Sequence, residues 1–228
     1  MSLLTNIKNI YFVGVGGIGM SALARFAKLK GYAVYGYDKI QTSLTKKLAS
    51  EDIKITYTDA VEEIPKMIQH AENTLVVYTP AIPERNNIIT FFREQNYTVV
   101  KRSEMLGAVT KHTLCLAVAG THGKTTTSAI LGHLLAYCEM PVTAFLGRIA
   151  ENYQSNFISK GTEITVVEAD EFDRSFLTLR PDIACITSMD ADHLDIYGNA
   201  AAIEDEFKSF AALLPQQEKL LYRKGLKL

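Results

Sequence analysis

Several features that define other classes of protein are scarce in this sequence. Its three cysteines, Cys115, Cys138 and Cys185, lie among apolar neighbours with no C-x-x-C pair, so we expect buried reduced thiols and no disulfide framework. The net charge is −1, and no basic stripe is present that would bind nucleic acid or an anionic membrane. The apolar run from Ile10 to Val15 is far shorter than the ~20 residues of a membrane span. A cytoplasmic protein with small-molecule ligands is therefore expected.

The composition, with 47% hydrophobic and 21% charged residues, is that of a folded protein of one large or two modest domains. Short apolar runs alternate with longer amphipathic stretches, a pattern typical of βαβ units in a parallel sheet that is covered on both faces. The predicted strands are Ile10–Val15, Ala33–Tyr37, Leu75–Tyr78, Thr98–Val100, Leu114–Ala119, Val142–Phe145, Ile164–Val167 and Ile183–Thr187. The predicted fold class is therefore α/β, with doubly wound sheets.

Two glycine-rich turns, near Gly16 and near Gly123, each follow a predicted strand and precede a predicted helix. Because each resembles the first βα unit of a doubly wound sheet, we predict two domains, at residues 1–107 and 108–228. The boundary is expected in the short helical stretch Ser103–Lys111. The second domain has about four predicted strands, fewer than the five or six usual for such sheets, so it is expected to be truncated.

The first turn, Val13–Ser21, fits the pattern G-x-G-x-x-G between a predicted strand and a helix that runs to about Lys30. Glycines in this pattern let the backbone approach a pyrophosphate, which the N–H groups and dipole of the helix N-terminus attract. A carboxylate at the end of the next strand would bond a ribose or base. The candidate residues are Gly16, Gly17, Ile18, Gly19 and Asp38. The pattern alone also fits a nicotinamide dinucleotide, or a closely packed helix with no ligand.

The second turn follows the buried-strand pattern Leu114–Ala119. In such a loop, backbone N–H groups surround phosphates, a lysine reaches the terminal ones, and a hydroxyl holds Mg²⁺. The strict pattern G-x-x-x-x-G-K-[ST] is not met, because Val118 stands five residues before Gly123. The alternative is a surface turn, and His122 is expected to be structural. The candidate ATP-binding residues are Gly120, Thr121, His122, Gly123, Lys124, Thr125 and Thr126.

Acidic residues follow two of the later predicted strands. Glu168 comes at the end of one, where a carboxylate close to a nucleotide-bound metal is commonly found, and three more acids follow within five residues. Such a density of acid repels itself unless a cation is present, and its alternative is a solvated loop. Beyond the last strand, Asp190–Gly198 contains His193, a candidate metal ligand or an ordinary histidine. An imidazole ligand indicates a second, looser site that also accepts Mn²⁺.

Three motifs together resemble the Mur ligase family: A-G-T-H-G-K-T-T-T at Ala119–Thr127, E-A-D-E-F-D-R-S-F-L at Glu168–Leu177, and D-A-D-H-L-D-I-Y-G at Asp190–Gly198. The segments Val13–Ser21 and Lys101–Leu106 are similar to the first domain of that family, so the resemblance covers nearly the whole chain. The motifs are most similar to those of the branch that joins L-alanine to UDP-N-acetylmuramate. The central motifs are specific, whereas the first glycine turn alone is not.

The resemblance implies an ATP-dependent ligase of peptidoglycan precursor synthesis. ATP would phosphorylate the lactyl carboxylate of UDP-N-acetylmuramate, and the amine of L-alanine would then attack the acyl phosphate. Lys124 and Mg²⁺ would neutralise charge on the transferring phosphoryl group. Thr125 and Glu168 would hold the ATP-linked ion, while Glu168 and His193 would hold a second ion, Mg²⁺ or Mn²⁺.

The resemblance also implies a UDP-binding role for the first turn. Gly16, Gly17 and Gly19 would cradle the UDP pyrophosphate, with Asp38 at the uridine and Arg102 as a further candidate for this ligand. The sequence departs from the family in the absence of a C-terminal domain that would position the amino acid, so little turnover is expected of this chain alone.

Other functions compete with this interpretation. A recycling ligase of the same family would attach a preformed tripeptide to the same UDP-sugar, and the residues leading into His193 disfavour it. A nicotinamide-dependent oxidoreductase built on Gly14–Gly19 would leave the second glycine turn and its acidic partners without a role. A non-catalytic nucleotide sensor is compatible with the expected truncation.

Overall fold

A computed structural model of the chain describes residues 3–190, 200–216 and 219–226. The chain divides into two compact units, Met1–Met105 and Leu106–Leu228. Each unit contains a largely parallel sheet with helices, which confirms the predicted α/β fold class. Within the described ranges, none of the helices combines the length and the apolar character that a bilayer crossing requires.

In the described part of the first unit, five parallel strands form one sheet in the order β3-β2-β1-β4-β5. The strands are β1 Asn9–Val13, β2 Ala33–Tyr37, β3 Lys54–Thr56, β4 Thr74–Tyr78 and β5 Thr98–Lys101. The helices are α1 Ile18–Leu29, α2 Ser43–Ser50 and α3 Asn87–Glu94, and 3-10 turns lie at Val61–Glu63, Lys66–Ile68 and Ala71–Asn73. Helix α4 Arg102–Thr110 contains the boundary between the two units.

The central strand β1 is buried along its whole length, as expected for a strand covered on both faces. The core includes Tyr11 of this strand and Phe92 of α3, whose ring centroids lie 5.0 Å apart. The strand ends at Val13, two residues earlier than predicted, because the chain turns at Gly14, where φ is +88°. The amides of Gly14 and Val15 both donate to the carbonyl of Tyr37 at the end of β2.

In the described part of the second unit, six strands form one sheet in the order β11-β10-β6-β9-β7-β8, and only the β7–β8 pairing is antiparallel. The strands are β6 Leu114–Ala119, β7 Val142–Ala150, β8 Ser155–Ser159, β9 Ile164–Glu168, β10 Ile183–Ile186 and β11 Leu220–Tyr222. The helices are α5 Lys124–Tyr137 and α6 Ala200–Ala211, and 3-10 turns lie at Glu151–Tyr153 and Phe172–Thr178.

Two sequence-based expectations for the second unit are wrong. The sheet has more strands than the four predicted, because β8 pairs at an edge through the short, half-polar sequence Ser155–Ser159 and β11 is only three residues long. Neither segment has the strong apolar run on which the prediction depended, so the strand count does not support truncation. Cys115 is buried and Cys185 is half-buried, but Cys138 is exposed because it caps α5 beyond the residues that pack on the sheet.

Both glycine turns lie where the order of strands reverses. The first follows β1, which has β2 on one side and β4 on the other, and the second follows β6, between β9 and β10. In open α/β sheets a crevice forms at this point beyond the carboxyl ends of the strands, and ligands bind there. Each unit therefore presents its glycine turn at the position where its topology favours a ligand.

Candidate functional site

The second glycine turn joins β6 directly to α5. Gly120 adopts a φ of +129°, and Gly123, at the N-cap of α5, adopts +88°. A Cβ atom on Gly120 would lie 2.2 Å from Thr187 Oγ1, so only glycine fits there. The sequence pattern predicts a helix over Ser128–Tyr137, but the helix begins four residues earlier, at Lys124, so its N-terminal amides belong to the loop itself. A helix N-terminus in this position attracts phosphate through its N–H groups and its dipole.

Hydroxyl groups that follow β10 brace this loop. Ser188 Oγ accepts a hydrogen bond from the His122 amide at 2.7 Å and lies 2.8 Å from Thr121 Oγ1. Thr187 Oγ1 donates to the carbonyl of Ala119 at 3.0 Å. Neither Thr187 nor Ser188 was predicted as a site residue, although both stand at a strand end beside the Asp190 motif. The imidazole of His122 is 71% exposed, so the structural role expected of this residue belongs to its backbone.

The ammonium of Lys124 lies between the loop and the acidic segment after β9. Nζ donates to the carbonyl of Gly120 at 2.8 Å and to Glu171 Oε1 and Oε2 at 2.9 and 2.8 Å. The side chains are 13% exposed for Lys124 and 2% for Glu171. Glu171 was missed as a site residue. The signal that could have found it was the density of acid that requires a cation, and Lys124 is that cation.

The hydroxyl of Thr125 and the carboxylate of Glu168 are in contact. Thr125 Oγ1 donates to Glu168 Oε1 at 2.9 Å, and the amide of Gly147 in β7 donates to Glu168 Oε2 at 3.0 Å. Glu168 ends β9, which pairs in parallel with both β6 and β7, so the sheet carries all three residues to one edge. Gly147 was also missed. A glycine inside a strand is the signal for such a close backbone approach.

These two side chains suit a magnesium ion, because a hydroxyl and a carboxylate are the hard oxygen donors that Mg²⁺ prefers. Over residues 3–190, 200–216 and 219–226, no group of three or more His, Cys, Asp and Glu side chains is arranged to hold a metal. The predicted ligand His193 lies outside the described residues. Among the described residues, the arrangement therefore offers one carboxylate and one hydroxyl to such an ion.

The first glycine turn brings together its predicted residues within the first unit. The amide of Gly16 donates to Asp38 Oδ2 at 2.8 Å, and the amide of Ile40 donates to Asp38 Oδ1 at 3.1 Å. A Cβ atom on Gly19 would lie 3.0 Å from Cδ and 3.1 Å from Nη1 of Arg102. Gly17 is the N-cap of α1, and the side chain of Ile18 is 36% exposed. The structure thus gathers the acidic end of β2, the turn and a basic side chain.

Two phosphate-type glycine turns, each at the switch point of a parallel sheet, define a nucleotide-binding class of α/β protein. Two family models match the chain in succession. The model described as the catalytic domain of the Mur ligase family matches residues 9–113, and the Mur ligase middle domain matches residues 118–224. The chain belongs to the Mur ligase family.

Curated relatives and solved structures agree with this membership. The UDP-N-acetylmuramate--L-alanine ligase of Christiangramia forsetii is 56% identical over 227 residues, which are 99% of this chain and 50% of that protein. The chain spans about half the length of the curated relatives it matches. The crystal structure of UDP-N-acetylmuramate-alanine ligase from Thermotoga maritima has a TM-score of 0.83 at 29% identity, covering 95% of this chain and 49% of that one.

A further solved structure, the UDP-N-acetylmuramate:L-alanyl-gamma-D-glutamyl-meso-diaminopimelate ligase from Neisseria meningitides, also has a TM-score of 0.83. It covers 97% of this chain and 72% of that one, at 24% identity. At this identity the likeness shows the shared fold alone.

Proposed function

We propose that this chain supplies the UDP-sugar-binding and ATP-binding parts of a ligase that joins L-alanine to the lactyl carboxylate of UDP-N-acetylmuramate. The observation that carries the proposal is the second glycine turn itself, where Thr125 contacts Glu168 and the ammonium of the adjacent Lys124 lies against the carbonyl of Gly120. The names of the relatives with high identity support L-alanine as the amino acid, in preference to the tripeptide of a recycling ligase. A redox function would leave this cluster without a role.

ATP binds at the second glycine turn. The amides of the loop and of the first turn of α5 surround its phosphates, and Lys124 neutralises charge on the terminal ones. The residues proposed for this role are Gly120, Thr121, His122, Gly123, Lys124, Thr125 and Thr126. The bracing of the loop by Ser188 supports the proposal, because a preorganised loop does not have to rearrange when charge moves during phosphoryl transfer.

Magnesium is proposed to bind at Thr125 and Glu168, and a second ion, Mg²⁺ or Mn²⁺, at Glu168 and His193. When bound, the ion supplies positive charge that offsets the charge of the phosphate oxygens. The protein's own contribution is to orient Glu168, which the amide of Gly147 and the hydroxyl of Thr125 hold from two sides. Both oxygens of this carboxylate are thereby fixed at the end of β9.

UDP-N-acetylmuramate is proposed to bind at the first turn, with its pyrophosphate on Gly16, Gly17, Ile18 and Gly19, its uridine at Asp38, and Arg102 as a further contact. The carboxylate of this sugar is a poor acyl donor because its leaving group would be oxide. Transfer of the γ-phosphoryl group makes phosphate the leaving group, so the amine of L-alanine can displace it. We place this activity in the cytoplasm, where it would supply peptidoglycan precursors for cell shape and division.

Calorimetry on the 228-residue chain tests the two binding sites separately. Lys124→Ala should abolish ATP binding and leave the affinity for UDP-N-acetylmuramate unchanged, because the two ligands bind in different units. The matched control is Lys160→Ala, which removes a half-exposed lysine from the same unit and should change neither affinity. Equal loss of both ligands in Lys124→Ala would contradict the division of roles, and tight NADH binding without UDP-sugar binding would favour an oxidoreductase.

A longer version of the protein, with the full length of its relatives, tests the reaction. Phosphate should be released from ATP only when both UDP-N-acetylmuramate and L-alanine are present. Release with a tripeptide but not with L-alanine would show that the amino-acid assignment is wrong, while leaving the ATP site intact.

A further inference from the structure

The contact between Lys124 and Glu171 places an internal anion on the cation that the proposed function assigns to nucleotide phosphate. Both carboxylate oxygens of Glu171 lie within 2.9 Å of Lys124 Nζ, and the carboxylate is almost completely buried. The third contact of the ammonium is the carbonyl of Gly120. A lysine ammonium has three donors, so these contacts use its capacity fully.

A phosphate oxygen therefore reaches Lys124 by replacing one of these three acceptors, and the oxygens of Glu171 are the anionic ones among them. If the carboxylate stayed beside the incoming phosphate, two anions would meet in a site with little water, where charges are poorly screened. Separation of Glu171 from Lys124 costs free energy, because a buried ion pair that loses one partner leaves an uncompensated charge.

The neighbouring acids do not share this arrangement. Glu168 is engaged by Thr125 and Gly147, so it contacts the hydroxyl rather than the ammonium of the loop. Asp170 is half-buried and accepts a hydrogen bond from the amide of Phe172 at 3.3 Å. Of the acids described after β9, Glu171 is thus the one whose carboxylate occupies the lysine.

We propose that Glu171 is a positioning residue that competes with nucleotide phosphate for Lys124 and so sets the affinity of the site for ATP. The inference rests on the proposed ATP-binding function. The apparent affinity for ATP is then the intrinsic affinity multiplied by the fraction of molecules in which Glu171 has released Lys124. Release of Glu171 then frees the ammonium for phosphate, and the carboxylate turns away from the bound anion.

The test is the ATP affinity of Glu171→Gln in the 228-residue chain, measured by calorimetry in the presence of Mg²⁺. If Lys124 is held by Glu171 for about nine-tenths of the time, loss of the charge should tighten ATP binding on the order of tenfold. Glu171→Asp keeps the charge but shortens the side chain, so it should tighten binding by a smaller factor. Without ATP, the midpoint temperature of thermal unfolding should be lower in Glu171→Gln than in the wild type. At saturating ATP the difference should disappear, because the lysine regains an anionic partner.

Asp170→Asn is the matched control, since it makes the same change of charge in the same segment and should leave ATP affinity within about twofold of the wild type. Unchanged or weaker ATP binding in both Glu171 variants would overturn the inference, as would an equal gain in Asp170→Asn. Lys124→Ala separates this result from the proposed function. If wild-type binding is lost in Lys124→Ala but not gained in the Glu171 variants, only the inference fails; if Lys124→Ala binds ATP like the wild type, the proposed ATP site fails.

Discussion

Gly147→Ala adds a single methyl group, and it should weaken metal binding while leaving the protein folded. A Cβ atom there would lie 2.2 Å from Glu168 Oε2 and 2.8 Å from Glu168 Cδ. The backbone of Gly147 does not adopt a positive φ, so alanine introduces no conformational strain. The whole effect of Gly147→Ala should therefore pass through the carboxylate of Glu168.

Relief of this overlap requires the carboxylate to move by about 1 Å, enough to break its hydrogen bonds to Gly147 and Thr125, and a misplacement of this size in a site costs on the order of 100-fold in function. Because the displaced group is the end of a flexible, half-buried side chain, the free energy of unfolding should change by less than roughly 1 kcal/mol. The variant should thus fold like the wild type and yet lose its response to Mg²⁺.

The assay is calorimetric titration of ATP at increasing Mg²⁺ concentration, with urea unfolding of the same samples. The affinity of the wild type for ATP should rise with the Mg²⁺ concentration. In Gly147→Ala the factor by which Mg²⁺ raises this affinity should be ten- to 100-fold smaller, as expected for the displacement above. Ile149→Ala, which truncates a half-exposed side chain in the same strand, should behave like the wild type. An unchanged Mg²⁺ response in a stably folded Gly147→Ala would refute the assignment of Glu168 to the metal.

Three further predictions concern stability. Gly107→Ala should lower the free energy of unfolding by about 1–3 kcal/mol in urea titrations, because its Cβ would lie 2.3 Å from the carbonyl oxygen of Thr178, which is backbone and cannot swing away. Phe176→Ala should cost about 3–5 kcal/mol in the same assay, since this fully buried ring stacks on Phe210 at 5.0 Å; a loss below 1 kcal/mol would contradict the packing. Burial, with a contribution from Asp182, raises the pKa of Cys115 from 9.0 to about 12, so the folded state resists ionisation that the unfolded state undergoes. The contribution of this thiol to the free energy of unfolding is therefore complete below pH 9 and is lost as the pH rises towards 12. Over this range the free energy of unfolding should fall faster in the wild type than in Cys115→Ala, and an equal fall in both proteins would contradict the raised pKa.

Much of the fold followed from local patterns. Short apolar runs such as Leu114–Ala119 predict central strands because a strand of a parallel sheet is buried on both faces, and the runs are too short for buried helices. The edge strands β8 and β11 escaped prediction for the same reason: an edge strand is stabilised by hydrogen bonds to its one neighbour and does not need an apolar sequence. The helix α5 began earlier than predicted because its first residues are the polar residues of the phosphate loop.

The sequence by itself determined the types of chemical group and their order along the chain. A glycine turn with a lysine and a threonine, followed by strand-end acids, predicts a phosphate site, since these local patterns have fixed physical uses. The pairing of groups was decided only by the tertiary structure. Parallel strands that are distant in sequence deliver their ends to one edge of a sheet, and this brought Glu168 to Thr125 and Glu171 to Lys124. No local pattern encodes which of several acids meets the lysine, because that depends on the register of β9 and on the turn after it.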